Sequence, residues 1–275
     1  MEKLSKENEE KLKQSIELLS QINKIGVSSL SKFPNDHYEL SVFTYICYLE
    51  RFVFGLESIK ILLIHYRSNP KVETSIGLIT RTGLLDFMTI AFLNTYYSDI
   101  KSQDDIEGEK KYNDQINCLA SDQIQNSLKY LNTAIENGIL TKEHYKKGVI
   151  KLHSDYNFLF NNQELDFDEP WKNLIDKNFI TPKQLFTRIN SHKLTKKYSK
   201  VYDLYTYYSK YEHFGIMTHF LQGRGMDIDL GNIIASLKYL ILGIGIIYCH
   251  LNYPEKKLQK DVEEFSILQN NFWEL

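Results

Sequence analysis

The chain has 275 residues, of which 43% are hydrophobic and 25% charged, with a formal net charge of −2. Those values fit a globular protein large enough to bury a core without disulfide staples, and they exclude capture of nucleic acid by a whole-molecule positive field. The three cysteines, Cys47, Cys118 and Cys249, form no C-x-x-C pair, which points to free thiols in a reducing, cytoplasmic setting.

The N-terminal stretch is charged from its second residue and has no apolar run before a cleavage site, so it reads as the start of the fold rather than a signal peptide. Leu12, Ile16, Leu19 and Ile22 mark a helical stripe. Asn35 or Asp36 can cap a second helix running to about Tyr66, which "SNP" at 68–70 ends. A third helix spans about Val72 to Tyr97. The polar segment 98–114 reads as an acidic surface loop. A helix from about Ser121 to Asn137 stops at Gly138, a left-handed cap, and Thr141 starts another to about His153. A second acidic loop covers 161–173. Thr181, Pro182 and Gln184 open a helix with proline at its first position. A long helix is then expected from about Leu194 to Leu221, followed by the loop "QGRGMDIDLG" and an apolar helix from Asn232 to Leu251. Pro254 breaks the chain before an amphipathic C-terminal helix within 255–275 carrying Leu258, Val262, Phe265, Leu268 and Phe272.

The expected fold class is therefore all-α: one domain over 1–275, a bundle of about seven to nine helices with 72–97 and 232–251 as its central pair. Both central segments reach the ~20 residues needed to span a bilayer. Arg81 and Asp86 sit near the middle of the first, where each costs about 2.5–3.5 kcal/mol on insertion. Helices buried inside a cytoplasmic bundle, with no membrane span, are the favoured reading.

Metal and nucleotide chemistry find little footing. No Glu-x-x-His or H-E-x-x-H occurs. His213 and His219 are six residues apart, about 120° around a helix, and adjacent Cys249 and His250 diverge. Asp227 to Gly231 is only a fragment of a calcium loop. "GIGII" at 243–247 follows no strand, and neither G-x-x-x-x-G-K-[ST] nor G-x-S-x-G is present. No metal and no cofactor is expected.

What remains is polar residues on apolar helices. Lysine outnumbers arginine 28 to 5, so each arginine, the residue suited to bidentate anion recognition, carries weight. Glu50 and Glu57 share a face with Phe43, Cys47, Phe54, Ile61 and Ile64. Buried ionisable groups must be paired, so Arg81 is expected to face Glu50 or Glu57, with His213 bonded to a carboxylate. One reading is a polar network fixing helix register. The other is a small anion or nucleotide pocket built from Arg81, Asp86, Ser209 and His213, with Arg224 as a second contact.

"SIGLITRTGLLDFMTIAFL" and the later "YYSKYEHFG" resemble a family of bacterial all-helical proteins of no assigned activity, distantly similar to HEPN-like helical proteins. That family pairs an arginine-to-acid helix with a Ser-x-x-x-His helix, over about a sixth of this chain. The acid here is Asp86, where the family has a glutamate. The resemblance implies a helical bundle in which Arg81, Asp86, Ser209 and His213 converge, in a stress or antiviral defence setting. The HEPN nuclease motif, arginine with four to six residues before histidine, follows none of Arg51, Arg67, Arg81, Arg188 or Arg224. A non-enzymatic binding or assembly component, with a protein partner or a second copy, is thus the first functional expectation. A divergent HEPN-like RNA- or nucleotide-acting enzyme is the alternative. Lys193, Lys196, Lys197 and Lys200, interleaved with tyrosines, add single-stranded nucleic acid as a weaker partner.

Overall fold

The computed structural model describes residues 4–34, 38–102, 104–161, 165–175, 180–210, 225–252 and 256–275. Among them are nine α-helices: α1 (Lys6–Leu30), α2 (Leu40–Tyr66), α3 (Glu73–Asp99), α4 (Ile106–Glu136), α5 (Lys142–Asp155), α6 (Pro182–Ser191), α7 (Val201–Ser209), α8 (Met226–Leu251) and α9 (Gln259–Trp273). No strand occurs among the described residues, only an isolated bridge between Phe160 and Leu174. The protein is all-α with two apolar helices, α3 and α8, as the periodicity predicts. The chain divides into two compact units, Met1–Thr95 with Pro182–Leu275, and Tyr96–Thr181.

The first unit is built around α8. Ser5 starts α1 by accepting from the Asn8 amide at 3.3 Å, and Leu12, Leu19 and Ile22 bury its stripe against α2. Helix α2 turns Tyr45, Leu49, Phe52, Leu56, Ile59 and Leu63 inward, each large aliphatic chain contributing roughly 1.5–3 kcal/mol by leaving water. The α2 and α8 axes approach closely because Gly243 has no side chain: a Cβ there would lie 2.7 Å from Phe52 Cζ. Phe87 of α3 packs its ring against Tyr239 of α8, centroids 5.3 Å apart. Helix α9 returns to α1, where Ser29 Oγ donates to Asp261 Oδ2 at 2.6 Å and lies 3.0 Å from the Tyr248 hydroxyl. Lys32 pairs with the same carboxylate at 2.8 Å.

The second unit pairs α4 with α5. Gly138 sits at φ +67°, the left-handed conformation a side chain resists, and closes α4 with bonds from the 138 and 139 amides to Ile135 and Ala134. Thr141 caps α5 by accepting from the His144 amide, and Tyr145 donates to the Phe167 carbonyl at 2.6 Å.

Three boundaries differ from the sequence reading. Helix α4 begins at Ile106, inside the expected 98–114 loop. Asp105 caps it through the Gly108 amide at 3.0 Å, and Glu107 pairs with Lys111; those acids oppose the positive end of a helix. Helix α8 begins at Met226 rather than Asn232, with Asp227 and Asp229 in its first turn. Helix α7 begins at Val201 rather than Leu194. There Thr195 Oγ1 donates to the Ile189 carbonyl and the Leu194 amide donates to His192 Nδ1, side-chain bonds that compete with helix continuation. The 35–36 cap and Pro254 lie outside the described residues.

Helices α3 and α8 are long and apolar enough to cross a membrane, and most of each apolar stretch is buried inside the fold.

Candidate functional site

Arg81 and Ser209 meet. Arg81 is half-buried on α3; its Nε donates to Ser209 Oγ at 3.2 Å and a terminal nitrogen donates to the Tyr205 hydroxyl at 3.4 Å. The guanidinium lies over the Tyr205 ring, 5.3 Å from its centroid, a cation–π stack. Tyr205 and Ser209, four residues apart on α7, share a face. Ser209 Oγ gives its proton to the Tyr205 carbonyl at 2.8 Å. An oxygen that accepts from a guanidinium and donates to a main-chain carbonyl is held in place by both bonds, and among the described residues these are the contacts it makes. Tyr205 was not singled out in the sequence; its signal is its place one turn before Ser209. His213, Arg224 and His219 lie outside the described residues.

Asp86 does not join this cluster. Five residues beyond Arg81, it points roughly 140° away around α3 and pairs with Arg51, Nη2 to Oδ1 at 2.9 Å. The Asp86 side chain is 7% exposed and that of Arg51 is 48% exposed. Burial raises the Asp86 carboxyl to about 7, and Arg51 only partly opposes it, because a half-solvated guanidinium offsets little desolvation. Arg51 also lies over Tyr48, 5.6 Å from its centroid, and burial, then the Asp86 charge, pushes that phenol upward.

The expected partners of Arg81 are engaged elsewhere or face solvent. Glu57 accepts from Asn23 Nδ2 at 2.8 Å and pairs with Lys60 at 2.7 Å. Glu50 is exposed. The face that carries them is the outer side of α2: Phe43, Phe54, Ile61 and Ile64 are 42%, 56%, 49% and 55% exposed. Helix α2 is apolar on both sides, so periodicity alone does not choose the core side; the fit of Phe52 to Gly243 does.

A second cluster went unread in the sequence. Glu73, opening α3, and Asp229, in the first turn of α8, are both buried. Tyr66 donates to the Met226 carbonyl at 3.1 Å. Burial raises its phenol, and the fields of Asp229 and Glu73 add to that. Burial likewise holds Tyr208 well above its ordinary range. Acids in first turns suit helix dipoles, and the sequence reading leaves Asp229 in the loop before Asn232 and does not single out Glu73.

Lys193, Lys196, Lys197 and Lys200 are all exposed along the turn before α7, with Lys197 over the Tyr198 ring at 5.2 Å. His250 is stacked on Tyr45, with Nε2 3.1 Å from Asn94 Oδ1, and burial lowers its imidazole to about 4. Asp227 to Gly231 is helical. Among the described residues, no three His, Cys, Asp or Glu side chains gather to hold a metal ion, and none of the three cysteines is in a disulfide.

Comparison with protein-family models, curated proteins and solved structures returns no match for this chain.

Proposed function

We infer that the protein is a non-enzymatic binding or assembly component that presents the outer face of α2 to a protein partner or a second copy. The observation that supports this is the row Phe43, Phe54, Ile61 and Ile64, each about half exposed at helical spacing, where a free surface seldom keeps four large apolar chains together. In this reading α3 and α8 are central helices of a cytoplasmic protein, and the Arg81 cluster is a small polar pocket. The resemblance supplies the setting, a bacterial stress or antiviral defence module. A second reading, a divergent HEPN-like RNA- or nucleotide-acting enzyme, draws on the Arg81–Ser209 contact; the Arg51–Asp86 pair weighs against it.

The test is the double variant Phe54→Lys/Ile61→Lys. Sedimentation velocity over a concentration range, with and without candidate partners, should show association lost while the thermal melt stays within about 2 °C of wild type. Unchanged association would defeat the reading. So would a melt lowered by many degrees, since these side chains would then belong to the core.

A further inference from the structure

The turn before α7 leads into a groove between α7, α8 and the end of α9. The groove holds about 330 Å³ and is lined by Lys200, Asp203, Leu204, Lys238, Tyr239 and Trp273 among others. That is the small end of ligand clefts, roughly 300–1,000 Å³. Trp273 is 50% exposed, an indole face of the kind a flat ring can stack on.

Among the described residues the lysines around this face are in no ion pair, although Asp203 lines the same groove. Lys238 donates to the Trp273 carbonyl at 3.0 Å and lies 5.8 Å from its ring. Burial and the nearby Lys11 charge push its ammonium down. Among the described residues no carboxylate pairs with Lys238, Lys200, Lys197, Lys196 or Lys193, whereas Lys11, Lys111 and Lys147 each hold a glutamate one turn away. Tyr198, within that lysine row, packs on Phe87, which also holds Tyr239 of the groove wall. Lys200, Lys238, Tyr239 and Trp273 thus line one groove, and the exposed Lys193, Lys196 and Lys197 lie in the turn that runs into it at Lys200. A half-buried ammonium with no carboxylate beside it is stabilised by an anion. Asp203, exposed in α7, disfavours a second phosphate beside it and offers an acceptor to a base N–H.

We propose that this groove binds single-stranded nucleic acid, with a base stacked on Trp273 and successive phosphates along Lys238, Lys200, Lys197 and Lys196. The site is separate from the outer face of α2 and stands whether or not that face docks a protein.

The experiment is fluorescence anisotropy of a labelled 12-mer of uridine or thymidine. Three to four phosphate contacts give a slope of log affinity on log salt of roughly −2 to −3, so binding should weaken roughly 20- to 50-fold between 50 and 200 mM salt. Trp273→Ala should weaken binding roughly tenfold or more, with Trp273→Phe restoring most of it. Lys200→Ala/Lys238→Ala should flatten the slope by about 1.4. Melts of each variant check that the fold survives. The proposal is overturned if the 12-mer fails to bind the folded protein in 50 mM salt. It is also overturned if inorganic polyphosphate of equal charge binds as tightly, if uridine monophosphate matches the 12-mer, or if folded Trp273→Ala binds like wild type.

Discussion

Asp86 makes a sharp prediction about pH. Its carboxyl is buried and rises from the ordinary 3.8 to about 7. The folded state therefore holds this proton more tightly than the unfolded chain does. The stability contributed by neutral Asp86 is complete below pH ~4 and is lost as pH rises through about 7. Each unit of displacement is worth about 1.4 kcal/mol, so three units set a ceiling of about 4 kcal/mol. Asp86→Asn keeps the shape of the neutral form and removes the titration. Urea denaturation at intervals from pH 4 to 8.5 should show the two proteins nearly equal at the acid end. The variant should gain on wild type with rising pH, leading by at least about 2 kcal/mol at pH 8. Arg51→Ala should move the midpoint of that difference upward, because the guanidinium is the group holding the carboxyl down. A difference between wild type and Asp86→Asn that is flat with pH, or that grows toward acid, refutes the reasoning.

Other predictions concern separate features. His250 behaves oppositely to Asp86: its imidazole falls from 6.5 to about 4, so its stabilisation is full above pH 6.5 and lost as pH falls toward 4. His250→Gln should therefore gain up to about 3 kcal/mol on wild type at acid pH, read by the same titration. The opposed trends should leave wild type flatter than either variant. Gly243→Ala places a Cβ 2.7 Å from Phe52 and should lower the melting temperature by roughly 3–10 °C. Gly231→Ala, which meets nothing within 4 Å, should raise it by about 2 °C. Asp261→Ala strands the Ser29 and Lys32 donors and should cost about 2 kcal/mol in urea, with Asp261→Asn recovering roughly half.

Local chemistry was legible where it was self-contained. Gly138, Thr141 and Pro182 set helix ends from within one turn, and the structure puts ends there. Segment 106–114 was misread because acids and a glycine look like a loop until Asp105 is seen to hold the Gly108 amide. The 194–200 turn was missed because Thr195 reaches back six residues, beyond helical periodicity. The candidate site was half legible. Arg81 and Ser209 lie on apolar helices and do meet, but the partner of Asp86 could not be read along α3. Arg51 and Asp86 are 35 positions apart, and only the packing of α2 beside α3 brings them together. The outer face of α2 was placed in a buried network because an apolar row opposite another apolar row carries no label for inside.

The division of the chain has a consequence for synthesis. The first unit takes its residues from both ends of the sequence, with 96–181 between them. Phe52 leaves the ribosome long before Gly243, its partner across α2 and α8. At roughly 5–20 residues per second that interval is on the order of 10–40 s. Throughout it α1 covers part of α2, but the part that α8 covers, Phe52 among it, stays open, so a nascent chain halted after residue 181 should bind a hydrophobic dye or a chaperone more strongly than the finished protein.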